Sequence, residues 1–373
     1  MSPGSPSIVL AAGGTAGHVE PALTLADELM RQEPRTTITV IGSDRGLEGT
    51  LVPARGYRLV ALPAVPLPRR ASLSLVSLPR RLQGATRSAG AVLQAASADV
   101  VVGFGGYAAL PAYLAARRAG IPLIIHEANA KAGLANRIGA RLTTHVYAVH
   151  PQALTGARYL GLPLRPAIAG LDRAAGRSQA REFFGLPQQG PVLLVFGGSQ
   201  GAQHLNRVLD LSLTTLLDAG ISVLHAFGSA NAEPGERPGY RPLPFIDRMD
   251  LAYAAADFAL TRAGAMTCAE LAAVGLPAAY VPLPVGNGEQ RLNALPAVRS
   301  GAGLIVDNQD LTAQWLCTTI PSLMHDGARL TQMADAASRL GSLDAGSQLA
   351  GLVLQVARQH QGRKGDGGGK GDG

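Results

Sequence analysis

The segment Ile8-Val-Leu-Ala-Ala-Gly-Gly-Thr-Ala-Gly-His18 and its counterpart Val192-Leu-Leu-Val-Phe-Gly-Gly-Ser-Gln-Gly-Ala202 decide how this chain folds. Each is a short apolar run, a glycine-rich turn and then a helix-favouring stretch, which is how a buried parallel strand feeding its crossover helix reads in sequence. Working outward from both, the same unit recurs. Strands are expected over 8–12, 38–42, 57–62, 100–104, 123–126 and 146–149, and again over 192–196, 223–227, 258–261, 278–281 and 304–306. Helical stretches such as Pro21 to Arg31 and Leu110 to Ala119 fall between them. The pattern predicts an α/β protein of two Rossmann-like, doubly wound parallel-sheet domains, with ligands at the carboxyl ends of the strands in a shared cleft. Leu160-Gly-Leu-Pro-Leu-Arg-Pro166 breaks the alternation with two prolines, so the first domain is expected over 1–164 and the second over 165–342. Past Leu311 the pattern is helical only. A last helix within 343–361 has no strand to follow it and is expected to pack back on the first domain, and 362–373, without an apolar residue, to form a disordered tail.

Composition narrows the function. Of 373 residues 47% are hydrophobic, so the chain is long enough and apolar enough for two cores. No apolar run reaches the roughly 18 residues of a membrane span, and residues 1–6 lack the basic region of a signal peptide, so a cytosolic protein is expected. Cys268 and Cys317 stand alone, which predicts two free thiols and neither a zinc site nor a disulfide. The net charge of +7 is concentrated early: 17 basic against 8 acidic residues up to Arg165, 16 against 18 after it. Residues 49–98 hold seven arginines and no acid, which suits an anionic membrane surface or a phosphate-bearing substrate. No nucleic-acid-binding motif accompanies the charge.

The chemistry lies in six motifs at strand ends. Ala12-Gly-Gly-Thr-Ala-Gly-His18 places close-approaching backbone, including Gly14, before a helix that Pro21 and Ala22 begin; a purely structural tight turn is the plainer alternative. Its His18 is a candidate base near neutral pH. Gly103-Phe-Gly-Gly-Tyr107 repeats the arrangement, with Gly105, Gly106 and Tyr107 as candidates to hold an acceptor's diphosphate, or merely to permit close packing. His126-Glu-Ala-Asn129 with Asn136 crowds polar groups at a strand end, either to meet sugar hydroxyls and a proton or as a buried, mutually bonded set.

In the second half Ser199, within Phe196-Gly-Gly-Ser-Gln-Gly-Ala202, opens a helix whose amides suit a phosphate. In Thr261-Arg-Ala-Gly-Ala-Met-Thr-Cys-Ala-Glu270 a helix starts near Met266, with Thr267 and Glu270 on one face, suited to phosphate and ribose or to a capping box. Pro284-Val-Gly-Asn-Gly-Glu-Gln-Arg-Leu-Asn293 brings Gln290 and Asn293 to another helix start, as neutral partners for sugar hydroxyls or as a solvated helix end.

Together, in this order, these motifs resemble the MurG family of peptidoglycan N-acetylglucosaminyltransferases over residues 8–341, nearly the whole chain. The resemblance implies a GT-B fold and an inverting transfer of N-acetylglucosamine from UDP-N-acetylglucosamine to the C4 hydroxyl of the MurNAc unit of lipid I, giving lipid II. It places the first domain against the acceptor and membrane and the second around the donor. Thr15, Ala16, Gly17 and Asn129 would approach the donor sugar, Arg165 and Ser199 its diphosphate, and the backbone of Ile246 the uracil. Ala265, Met266, Thr267, Cys268, Ala269 and Glu270 would hold the α-phosphate and ribose, and Gln290 the sugar hydroxyls. Gly14, Gly105, Gly106, Tyr107 and Asn136 would serve the acceptor. Ala16 departs from the family's usual second loop glycine, its methyl narrowing the backbone's approach to the acceptor phosphates, and Ala128 and Glu289 depart from its usual glutamines, which touches the fine sugar contacts there.

No DxD sequence occurs, so no metal and no cofactor are expected, and helix amino termini with Arg165 would offset the leaving diphosphate's charge. His18 is the favoured base, with Glu127 and His126 as rivals. Leu73, Leu75, Val76, Leu78 and Leu82, set among Arg80, Arg81 and other arginines, read as an interfacial patch, or as an ordinary half-buried helix pair. The protein is then expected on the cytoplasmic side of the cell membrane as a peripheral protein, with anionic lipid and other cell-wall enzymes as partners and no nucleic acid. Competing readings are another GT-B glycosyltransferase, a catalytically silent sugar-nucleotide-binding protein, and a dinucleotide oxidoreductase, the last disfavoured by the missing GxGxxG spacing.

Overall fold

A computed structural model describes residues 4–14, 16–43, 47–63, 65, 74–198, 202–284 and 287–367. The chain divides into two compact units, one of Met1–Pro163 with Asp344–Gly373 and one of Leu164–Leu343. In the first lie β1 (Ser7–Ala12), β2 (Thr37–Ser43), β3 (Arg58–Leu62), β4 (Val100–Gly105), β5 (Leu123–Glu127), β6 (His145–Ala148) and β7 (Arg158–Tyr159). The second holds β8 (Val192–Phe196), β9 (Ser222–Ala226), β10 (Tyr240–Leu243), β11 (Phe258–Thr261), β12 (Ala278–Tyr280) and β13 (Gly303–Ile305).

The sheets run β3-β2-β1-β4-β5-β6-β7 and β10-β9-β8-β11-β12-β13, and their described strand pairings are parallel. Both are doubly wound: the order reverses between β1 and β4 in one and between β8 and β11 in the other, which makes a topological switch point in each unit.

Successive residues of a strand point to opposite faces, and here both faces are covered, which is why the strands read as unbroken apolar runs. Ile8, Leu10, Val100 and Val102 pack with Val19, Leu23 and Leu29 of the helix Ala16–Gln32. Val9, Ala11 and Val101 pack on the other face with Leu93 of the helix Ser74–Ala95 and with Ala112 and Tyr113 of the helix Ala109–Ala119. The final helix, Ala345–Gly367, buries Leu349, Val353 and Ala357 in the first of these clusters. The sequence pattern ends that helix before residue 362, yet it continues to Gly367. Gln361 Nε2 donates to Asp99 at 2.7 Å and Lys364 Nζ pairs with the same carboxylate at 3.3 Å, so polar anchoring replaces apolar packing there.

Each unit starts its sheet with the same device. Asp99, just before β4, accepts the Ser7 amide of β1 at 3.0 Å. Asp257, just before β11, accepts the Val192 amide of β8 at 2.8 Å. A strand's first N–H has no ladder partner on one side, and the acid supplies it. Asp257 also holds the wholly buried Arg181 at 3.0 Å.

Two strands escape the sequence pattern. Arg158–Tyr159 is only two residues long, and Tyr240–Leu243 carries Pro242, which edge position tolerates because no ladder N–H is needed there.

Candidate active site

In the first unit the switch point is framed by the turns after β1 and β4. The helix after β1 begins at Ala16 rather than at Pro21, so His18 stands in its first turn and not in a loop; Pro21 lies inside and removes one backbone hydrogen bond without ending the helix. The turns touch closely: a methyl on Gly106 would come within 2.1 Å of the Gly13 carbonyl oxygen, and Gly105 and Gly106 have φ of +96° and +91°, so glycine is required at both places. A methyl on Gly105 would lie 3.3 Å from the His18 ring and 3.3 Å from the Asn136 amide, so these three groups converge on one point. Burial lowers the His18 pKa, an effect opposed by the charge of Glu127, a hydrogen bond with the Gly13 backbone and the charge of Glu48. The ring is therefore neutral near pH 7, as a base must be.

Behind this point runs a buried chain of hydrogen bonds. The Gly105 amide donates to the Tyr113 hydroxyl at 3.2 Å, which donates to Asn136 Oδ1 at 2.7 Å, and Asn136 Nδ2 donates to Glu127 Oε2 at 3.0 Å. Burial pushes the Tyr113 phenol pKa far up, which keeps its proton in place to donate. Glu127 is saturated, also accepting from the Asn129 amide at 2.9 Å, Asn129 Nδ2 at 3.2 Å and the Gly133 amide at 3.3 Å.

The geometry gives several of the expected residues partners within the fold. Asn136, expected to serve the acceptor, is 1% exposed with its amide bonded to Tyr113, the His126 carbonyl and Glu127. Glu127 is 1% exposed and orients Asn129. His126, a rival for the base, is wholly buried, its Nε2 is 3.0 Å from the Gly161 carbonyl, and burial lowers its pKa to about 4. Gly14 donates its amide to Glu48, 3.1 Å to Oε2 and 3.3 Å to Oε1. Gly105 likewise spends its amide, on Tyr113. Tyr107 is half exposed beside Gly14 and remains open to a ligand. Thr15 lies outside the described residues.

The second unit repeats the geometry. The helix Ala265–Ala273 follows β11 with Gly264 as its cap residue and no side-chain cap hydrogen bond, so Thr267 and Glu270 do not form a capping box. Glu270 is 6% exposed. Its Oε2 accepts the Tyr253 hydroxyl at 2.7 Å, and its Oε1 lies 3.6 Å from the Arg165 guanidinium. Burial and the neighbouring Glu270 raise the Tyr253 pKa well above the ordinary phenol value, so the hydroxyl donates at any physiological pH. Gln290 Oε1 accepts the Ala263 amide at 3.2 Å and the Leu283 amide at 3.0 Å, which leaves its NH2 group as the part suited to a ligand. Asn293, 4% exposed, donates to the Ala263 carbonyl at 3.3 Å. Ile246 is buried beside exposed Phe245. Met266 and Ala269 pack against the core of this unit, and burial pushes the Cys268 thiol up to about 12, which makes it inert. Ser199 lies outside the described residues.

The expected membrane patch falls on the helix Ser74–Ala95. Leu73 lies outside the described residues, and Leu75 and Val76 are in the helix. Arg80 and Arg81 are exposed and Leu78 half-buried, but Leu82 packs against the core and belongs to the fold. Among the described residues no helix is long and apolar enough to cross a membrane.

The Glycosyltransferase family 28 N-terminal domain matches residues 8–148, and the Glycosyltransferase family 28 C-terminal domain matches residues 192–349. The chain belongs to glycosyltransferase family 28. It is similar to the UDP-N-acetylglucosamine--N-acetylmuramyl-(pentapeptide) pyrophosphoryl-undecaprenol N-acetylglucosamine transferase of Streptomyces avermitilis, 55% identical over 95% of this chain and 99% of that one. The protein of the same name from Mycolicibacterium smegmatis is 53% identical over 94% of each. Among solved structures, MurG of Acinetobacter baumannii superposes with a TM-score of 0.75 at 28% identity, covering 94% of this chain and 99% of that one. The calicheamicin glycosyltransferase CalG4 gives 0.67 at 17% identity, over 94% of this chain and 98% of that one, a likeness of fold alone. Membership of the MurG family, read from the motifs, stands on these matches, and so does the two-domain parallel-sheet GT-B fold.

The motifs of this family 28 chain do not single out the groups that brace its sites: Glu48, Tyr113 and Tyr253. Tyr113 and Tyr253 sit in alanine-rich helices where a buried hydroxyl must find a partner, a faint signal. Glu48 reads as an ordinary acid at a helix start.

Proposed function

We propose that this family 28 chain moves N-acetylglucosamine from UDP-N-acetylglucosamine to the C4 hydroxyl of the MurNAc unit of lipid I, with inversion, giving lipid II. The observation that carries the reading is 55% identity along 95% of the chain to an enzyme named as the N-acetylglucosamine transferase from UDP-N-acetylglucosamine to N-acetylmuramyl-(pentapeptide) pyrophosphoryl-undecaprenol. The first-turn amides of Ala265–Ala273 and Arg165 receive the donor diphosphate, and Glu270 the ribose. The Gln290 NH2 group meets the sugar, and the Ile246 backbone meets the uracil. On the acceptor side Tyr107 and the Gly106 turn face lipid I while His18 takes the proton from its hydroxyl. The oxygen–anomeric carbon bond forms as the bond to the diphosphate breaks, and uridine diphosphate leaves with its charge offset by the helix terminus and Arg165.

With a lipid I analogue, transfer from UDP-N-acetylglucosamine is expected to exceed that from UDP-N-acetylgalactosamine at least about tenfold, since a site built to bond one hydroxyl epimer leaves buried partners unmet by the other. Equal rates, or no product from either, would remove the reading.

The enzyme then works as a peripheral protein on the cytoplasmic face of the membrane, where lipid I is presented, with other cell-wall enzymes as further partners. The exposed Arg80 and Arg81 support contact with anionic lipid. The double change Arg80→Ser with Arg81→Ser is expected to weaken binding to phosphatidylglycerol vesicles several-fold at about 0.15 M salt. Unaltered flotation would place the membrane contact elsewhere.

A further inference from the structure

Glu48 is wholly buried, although it opens the short helix Glu48–Ala54 and is an acid. Its side chain turns back under the ends of β1 and β2. Oε1 accepts the Ser43 amide at 2.7 Å and the Ser43 hydroxyl at 2.6 Å, and Oε2 accepts the Gly14 amide at 3.1 Å. A buried carboxylate is costly unless its lone pairs are met, and here three donors from two strand ends meet them.

The packing is shaped around it. A methyl on Gly13 would come within 2.7 Å of Glu48 Oε1, and one on Gly42 within 2.6 Å of its Cγ. Gly13 is thereby held between Glu48 on one side and the Gly106 turn on the other. The glycines of the first turn thus make room for an internal acid, whereas in phosphate-binding turns they make room for a ligand.

Resting on the proposed function above, we propose that Glu48 is the internal anion of the first glycine turn: it occupies the Gly14 amide that a substrate phosphate would otherwise take, and so fixes the turn and the helix start that carry His18. Glu48 is a positioning residue, since it touches no substrate. Burial pushes its pKa up, but the Ser43 hydroxyl, its own backbone amide and the amides of Ser43 and Gly14 outweigh that and hold it below the usual carboxylate range, so it is ionised at neutral pH. Its charge, with that of Glu127, raises the proton affinity of His18.

Glu48→Gln keeps the shape, removes the charge and sets an NH2 group against two N–H donors. Transfer to a lipid I analogue is expected to fall about tenfold in kcat, because the base is displaced by a fraction of its bond length to substrate. The Kd for UDP, read by calorimetry, is expected to stay within about twofold, since its proposed partners lie in the other unit. The acid limb of the kcat profile is expected at lower pH than in the wild type, and Glu48→Asp to recover part of the loss. Half or more of wild-type kcat, or a lowered kcat with an unmoved limb, would overturn the inference. Should Glu48→Gln fail to fold, Ser43→Ala, which removes one donor to Oε1, is expected to lower kcat about threefold, and no change would count against it. Amide hydrogen exchange across residues 8–20 is expected to quicken in Glu48→Gln whatever the substrate. Unchanged exchange overturns the inference by itself, while a wild type that transfers nothing overturns the proposed function instead.

Discussion

His18→Ala lowers kcat for transfer by about 100-fold or more while the Kd for UDP stays near the wild-type value. General-base catalysis by a placed side chain contributes roughly 100-fold to 10,000-fold, so this is the size expected when the base is lost. His18 is the proposed base because both rivals are engaged elsewhere. Glu127 spends its oxygens on Asn129, Gly133 and Asn136, and His126 is wholly buried against Phe104 and the Gly161 carbonyl. His18 is half-buried at the point where Gly105 and Asn136 meet. Its pKa is lowered below the ordinary 6.5 by burial, so the neutral imidazole persists under mildly acidic conditions. The sign follows directly: activity requires the neutral ring, so kcat falls only as pH drops through that lowered value, and the limb lies below pH 6.5. In His18→Ala this limb should vanish from the profile along with the rate. Near-normal turnover, or a limb that survives the substitution, removes His18 from the role.

Glu270→Ala raises KM for UDP-N-acetylglucosamine about 30-fold and leaves kcat within a few-fold of wild type. Hydrogen bonds from ribose hydroxyls to a charged, largely buried acceptor are worth about 1.5–3 kcal/mol, which corresponds to the stated range of affinity. The wild-type carboxylate is held ready: Tyr253 donates to Oε2, and Arg165 lies near Oε1. Preorganisation of this kind means that little ordering is required when the donor arrives. The substitution also strands the buried Tyr253 hydroxyl, so a melting curve should accompany the kinetics, with Glu270→Gln as the milder partner. If the ribose is the ligand, 2′-deoxy-UDP loses affinity for the wild type but loses little further for Glu270→Ala. Equal binding of UDP by Glu270→Ala and wild type would take the ribose away from this residue.

The two predictions draw on different kinds of information. His18, Glu270 and Gln290 were visible as polar residues just past apolar runs, because a strand's carboxyl end is where an α/β sheet places its chemistry. The alternation also foretells β8 and β11 at Val192–Phe196 and Phe258–Thr261, since strands buried on both faces leave unbroken apolar runs. The short edge strands at Arg158–Tyr159 and Tyr240–Leu243 leave no such run. The early start of the His18 helix was hidden by Pro21, which reads as a first-turn residue but stands inside the helix.

By itself, then, the sequence determined the fold class, the positions of the glycine turns and the candidate residues beside them, because these follow from periodicity and turn chemistry within a dozen neighbouring residues. Only the tertiary structure decided which partners the candidates take: that Gly14 gives its amide to Glu48, that Asn136 and Glu127 brace each other, that His126 is sealed in the core, and that Tyr253 meets Glu270. Such assignments depend on which distant strand ends the sheet order brings side by side, and a buried polar group takes whatever partner that juxtaposition supplies.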